Sequence, residues 1–190
     1  MNIQDEIRRA AEEDGVDPAT ALAYAERESS FNPSAHNSKS IFGMYQMTGD
    51  LRRKYGMGDS TDPYTQTKAF NRLLADNKGA MSSRLGRDVT DAEAYAGHHF
   101  GAGRAARMMT MDPNTPVSEV FTGSERAQNP HFDKAGTVGA LLGSVTGDID
   151  KRRSTYGGGN DLDFSQFADA SNDQPSAQPL DFSQFGTPVA

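Results

Sequence analysis

Two Asp-Pro pairs, Asp17-Pro18 and Asp62-Pro63, each stand directly ahead of a stretch with apolar residues at helical spacing. An Asp carboxylate accepts from a backbone N–H that the first helical turn leaves without a partner. Proline, with no N–H and a fixed φ, fits the first helical position. The spacing predicts a helix from Pro18 to about Ser29, and a longer one after Pro63 that carries Phe70, Leu73 and Leu74. Residues 2–14 place Ile3, Ile7 and Ala10 or Ala11 at the same period, and Gly15 ends that helix. Thr90-Asp91-Ala92-Glu93 has the form of a capping box and opens a short helix. Thr115-Pro116 begins another, and a last one runs from about Thr137 to Ser154. Strand signals are poor, with room for some β-structure between 36 and 60. The expected fold class is all-α or α-rich α+β, one domain of six or more helices over residues 1–155.

The composition changes after Tyr156. Gly157-Gly158-Gly159-Asn160 reads as a hinge, and residues 156–190 as a flexible tail rich in Gly, Ser and Asp. Leu162-Asp163-Phe164-Ser165-Gln166-Phe167 recurs as Leu180-Asp181-Phe182-Ser183-Gln184-Phe185. The tail reads as a linker or, given this duplication, as a pair of docking motifs for other proteins. Of the net charge of −7, residues 156–190 hold five Asp and no Lys or Arg. Residues 1–155 carry 21 acidic and 19 basic side chains, a balance of −2. Such a body lacks the basic face that nucleic-acid binding needs, so no nucleic-acid partner is expected. With no Cys, disulfide and thiol chemistry are excluded. No apolar run is long enough for a transmembrane segment. The first residues lack the apolar core of a secretory signal, so the expectation is no signal peptide and export by other machinery.

One segment carries chemistry: Ala23-Tyr24-Ala25-Glu26-Arg27-Glu28-Ser29-Ser30-Phe31-Asn32-Pro33. Glu28 falls at the C-terminal end of the helix begun at Pro18, where the helix dipole is negative and disfavours a second negative charge. Burial in a cleft adds desolvation, and both effects keep a carboxyl protonated near neutral pH, as a general acid for glycosidic cleavage requires. From the residues alone, a plain surface glutamate remains an open reading. Glu26, two residues earlier, does not share a helix face with Glu28 and reads as a solvated partner for Arg27 or Arg9.

Glu28-Ser29-Ser30-Phe31-Asn32-Pro33 resembles the E-S-x-F-N-P signature of soluble lytic transglycosylases. Gly43-Met44-Tyr45-Gln46-Met47-Thr48, which starts fifteen positions after Glu28, resembles the family's G-L-M-Q block. Ala94-Tyr95-Ala96-Gly97-His98-His99-Phe100-Gly101 looks like the A-Y-x-x-H-F-x-G variant of phage-borne members. Asn129-Pro130, Phe132 and Thr137-Val138-Gly139 resemble a weaker block of the same members. The resemblance covers about residues 1–150. It implies a lysozyme-like fold of the goose type and a muramidase that cuts peptidoglycan glycan strands between N-acetylmuramic acid and N-acetylglucosamine.

It also implies roles. Glu28 protonates the glycosidic oxygen and then acts as base on the muramic 6-hydroxyl, which closes a 1,6-anhydro ring, so a single essential carboxylate suffices where hydrolases usually need two. Gln46 matches a cleft-lining glutamine, Tyr95 a tyrosine beside the catalytic glutamate, and Gly43 a glycine where backbone turns close to substrate. Met44 and His98 join the expected substrate-binding set. Nine positions after Glu28, where the family commonly has a serine bonded to the carboxylate, stands Asn37, followed by Ser38. Thr48 replaces a later methionine of the second block. These departures concern substrate contacts more than Glu28.

His98 and His99 are adjacent, so their side chains are expected to point apart, and His36 and His131 are isolated, so no metal and no cofactor is expected. Met108, Met109 and Met111 read as core filling. Gly101-Ala102-Gly103 reads as a tight turn. Other classes stay open: a hydrolytic muramidase with Asp50, Asp59 or Asp62 as second carboxylate, a peptidase of the cross-link peptides on the same fold, or a virion structural module. The expected setting is a virion-associated enzyme acting in the host periplasm, with other virion proteins as partners of the tail.

Overall fold

The computed structural model describes residues 2–37 and 40–157. Nine helices and a short hairpin occur among them. The helices are α1 (Ile3–Glu13), α2 (Pro18–Ser29), α3 (Gly49–Lys54), α4 (Pro63–Leu85), α5 (Asp91–Phe100), α6 (Ala102–Met109), α7 (Gly123–Gln128), α8 (Pro130–Ala135) and α9 (Val138–Thr155). Strands β1 (Ile41–Phe42) and β2 (Met47–Thr48) pair antiparallel, Ile41 against Thr48 and Phe42 against Met47. This is the α-rich class expected, with the β-structure in the 36–60 window. The duplicated tail motif and Ser38 lie outside the described residues.

The start signals act as the sequence suggests. Asp17 accepts from the Ala19 N–H at 3.0 Å, and Asp62 from the Thr65 N–H at 2.9 Å. Thr90 and Glu93 form the reciprocal capping box of α5. One expected start is corrected: Thr115-Pro116 opens only a 3-10 turn at Val117–Glu119, because Pro116 bridges Thr137 and draws the chain away from a helical path. Helices α3, α6, α7 and α8 escape a pattern reading. Three of them have six residues each, too few to show a period.

Helices α2 and α5 form the centre. α5 packs against α4, α6 and α9, and α2 against α1 and α9. Tyr24 of α2 meets Tyr95 of α5 edge-on at 4.8 Å, and Phe70 of α4 closes on Tyr24 at 4.9 Å. All three rings are fully buried, and each such side chain stabilises the fold by about 1.5–3 kcal/mol. Gly97 lets α4 and α5 approach: a Cβ there would sit 2.6 Å from the Met81 sulfur. Met108 is buried among core residues, the filling role expected of it, and Gly101 (φ 80°) makes the turn between α5 and α6.

Candidate active site

Helix α2 ends in a strained segment. Ser30 (φ 52°) and Phe31 (φ 64°) both take the left-handed conformation that non-glycine residues rarely adopt. The kink is held from two sides. The Ser29 hydroxyl donates to the Met44 carbonyl at 2.9 Å, and Gln66, buried on α4, donates to the carbonyls of Pro33 and Ser60, both at 2.7 Å. Gln66 also accepts from the Met44 N–H. The last turn of α2 is thereby tied to the hairpin turn and to α4.

Beside this segment opens a cleft of about 390 Å³ lined by Glu26, Arg27, Glu28, Ser29, Ser30, Ala35, His36, Asn37, Gln46 and Arg152. Glu28 lies at its wall, only 5% exposed, and the buried Tyr95 hydroxyl donates to its Oε1 at 2.5 Å. Burial lifts the Glu28 carboxyl from the ordinary 4.5 to about 7, against the opposing pull of the Tyr95 hydrogen bond and of the Arg27 cation, with Asp148 adding a further upward push. A group that half-ionises near neutral pH can give up a proton and take one back.

The expected site residues fall into three sets. Glu28, Asn37 and Gln46 line the cleft, and Tyr95 reaches it through Glu28. Gln46 (φ 47°) is locked, donating to the carbonyls of Gly43 at 2.7 Å and Ala35 at 3.3 Å. Gly43 and Met44 belong to the support behind it. Gly43 does turn sharply (φ 88°), but its close neighbours are Met57 and Gln66, and the Met44 side chain is fully buried. His98 packs on the rings of Phe70 and Tyr95. His99 stacks on Tyr95 as well, at 6.1 Å. The two adjacent histidines thus both lie against the Tyr95 ring. Burial pushes the His98 imidazole down to about 4 and the His99 imidazole well below its ordinary value, so both flanking rings are neutral near pH 7.

Glu26 is corrected too. It pairs across to Arg152 at 3.0 Å, whereas Arg9 pairs with Glu6 and Arg27 with Asp148. Arg152 and Asp148 sit on α9, more than a hundred residues away in sequence, and no local signal announces them. Gln66 did carry a signal: it is a polar residue in register with the apolar Ala69, Phe70 and Leu73 of its own helix face. Among the described residues no group of three or more His, Asp or Glu side chains is placed to hold a metal ion, and no helix is long and apolar enough to cross a membrane.

The domain is helix-rich and of the lysozyme-like fold class, with the buried Glu28 carboxyl in the wall of a polar cleft. The model of the transglycosylase SLT domain family matches residues 5–119, and the chain belongs to that family. The chain is also similar to the membrane-bound lytic murein transglycosylase F of Alcanivorax borkumensis, 27% identical over 109 residues. That match takes in 56% of this chain and 23% of that protein, so the chain spans about a quarter of the relative's length.

Proposed function

We propose that this chain is a peptidoglycan lytic transglycosylase with Glu28 as its acid and base. The observation that carries the reading is the buried Glu28 carboxyl, held by Tyr95 in the cleft wall and titrating near 7. In the first half of the reaction Glu28 gives its proton to the oxygen of the bond between N-acetylmuramic acid and N-acetylglucosamine. The carboxylate then formed accepts the proton of the muramic 6-hydroxyl, whose oxygen bonds to the anomeric carbon, and Glu28 returns to its starting state. Tyr95 donates to the same carboxyl and fixes its orientation throughout. Gln46 and Asn37 line the same cleft and are placed to meet the glycan.

The hydrolytic alternative needs a second carboxylate over the cleft. Asp50 pairs with Arg53, Asp59 with Arg52 at 2.9 Å, and Asp62 caps α4. None of the three lines the cleft, and Glu26, which does, is held by Arg152 at 3.0 Å, which favours the intramolecular route. We place the enzyme in a virion, acting locally on the host wall, with residues 156–190 as a tail outside the catalytic domain of residues 1–155. The composition of that tail and its repeat support this setting.

Mass spectrometry of the products from purified cell wall tests the chemistry. Muropeptides ending in 1,6-anhydro-muramic acid, one water lighter than ordinary ends, are expected. Reducing ends in their place would favour the hydrolase, and cut stem peptides on intact glycan would favour the peptidase.

A further inference from the structure

The cleft wall carries a ladder of charges that crosses from α2 to α9. Arg27 Nε lies 2.6 Å from Asp148 Oδ2. The same Asp148 oxygen lies 3.2 Å from Arg152 Nε, and Arg152 Nη1 lies 3.0 Å from Glu26 Oε2. The Arg27 side chain is 11% exposed and that of Asp148 22%. Arg27 is therefore a poorly solvated cation one residue from Glu28 in sequence, on the wall of the same cleft. Left without a counter-ion, a cation in such a place acts strongly on a neighbouring carboxyl, because little water screens it. The counter-ion comes from α9, which begins after residue 119, where the family match stops.

We propose that Asp148 is a positioning residue for the reaction: it holds the Arg27 guanidinium in an ion pair and so sets how strongly that cation acts on Glu28. The assignment rests on Glu28 being the acid. The groups around Glu28 are Tyr95 from α5, Arg27 and Glu26 from α2, Asp148 and Arg152 from α9, and His36 from the segment after α2. Of the groups that act on it most directly, the Tyr95 hydrogen bond and the Arg27 charge favour its ionised form, and the Asp148 charge adds to burial in favouring its protonated form. Removing the Asp148 charge takes away an influence that adds to burial in favouring the protonated form, and it also frees Arg27, so both consequences have the same sign: Glu28 gives up its proton at lower pH.

Asp148→Asn keeps the shape and removes the charge. The alkaline limb of its kcat/KM profile should move to lower pH by about half to one unit. Arg27→Gln should move the limb upward, and Asp148→Glu should restore the wild-type profile. The midpoint of the Glu28 carboxyl, followed by ¹³C NMR without substrate, should move in step. If Asp148→Asn does not fold, Arg27→Gln reads the same pair from its other side. A Glu28 midpoint unmoved in folded Asp148→Asn, whatever the loss of thermal stability, overturns the assignment. Midpoints that move as stated in a protein that yields no anhydro products leave the Asp148 assignment standing and overturn the proposed function.

Discussion

The two ends of α2 each hold a carboxyl, and the fold treats them in opposite ways. At the N-terminus Asp17 caps the helix, accepting from the Ala19 N–H, the Thr20 hydroxyl at 3.1 Å and Arg153 at 3.1 Å. Burial alone would raise Asp17, but these three donors outweigh it and hold the carboxyl below its ordinary value. At the C-terminus Glu28 has one hydrogen bond from Tyr95, a nearly buried site and the negative pole of the helix, and burial wins. One end is therefore ionised and structural, and the other holds its proton to about pH 7. Residue type does not distinguish them; the number of donors facing each carboxyl does. The backbone follows the same division, with a regular cap at Asp17 and two left-handed residues, Ser30 and Phe31, past Glu28. Strain and an uncomfortable carboxyl are gathered at the end that faces the cleft.

The strongest way to break this comparison is Glu28→Gln. The amide keeps the shape, still accepts from Tyr95 and cannot donate a proton to the leaving oxygen, so lysis should fall by about 10²–10⁴-fold. Turbidity of cells stripped of their outer membrane reads this, and activity within a few-fold of wild type removes Glu28 from the mechanism. The same variant sharpens the stability side. Glu28 binds its proton more tightly folded than unfolded, so the stability this gives is complete below about pH 4.5 and is lost as pH rises to about 7. Glu28→Gln has no such loss. It should match wild type at pH 4 and exceed it at pH 8 by up to about 3 kcal/mol in denaturant melts.

The Asp17 end should behave in the reverse sense. Its folded value is lowered, so its contribution is present above the unfolded value and disappears as pH falls. Asp17→Ala removes the cap and one partner of the buried Arg153, which should cost about 2–3 kcal/mol. In thermal melts near neutral pH this amounts to about 5–10 °C for a domain of this size. The folded fraction should keep the wild-type pH–activity profile. A shifted profile would mean that the two ends of α2 are coupled and do not act separately.

How much of this could be read from the sequence divides along the same line. Local signals located Asp17, Asp62 and the Thr90–Glu93 box, because a cap acts on a backbone two or three residues away. The motif blocks picked out Glu28, Gln46 and Tyr95, which the fold brings together across 67 positions of sequence. The wall contributed by α9 was not legible. Arg152 meets Glu26 only because α9 packs along α2, and a solvated partner nearby in sequence was the natural guess for Glu26. At Met44 and His98 the motif marks a position without saying whether the side chain faces the cleft: Met44 is fully buried, and His98 packs on Phe70 and Tyr95.

The smallest effect expected is at the end of α9, and it tests where the catalytic domain stops. Near the end of the described residues stands Tyr156, whose ring meets Phe31 edge-on at 6.1 Å in the strained segment after α2. Tyr156 thus buttresses the segment that carries Glu28, and Asp148, Arg152 and Arg153 all precede it on α9. A chain ending at Tyr156 keeps every one of these groups. Residues 157–190 open on a run of three glycines, carry five Asp and no Lys or Arg, and are rich in Ser, Gln and Pro, a composition that suits a linker better than a packed element. Removing them should leave the melting temperature and the lytic rate close to those of the full chain. A chain ending at Gly147 should lose both, because it removes the partner of Arg27, the partner of Glu26 and the buried Arg153 that anchors Asp17. Melting curves and turbidity assays on the two truncations, side by side with the full chain, read the boundary directly. Clear destabilisation of the chain ending at Tyr156 would place part of residues 157–190 in the folded domain and move the boundary beyond Tyr156, which itself packs on Phe31.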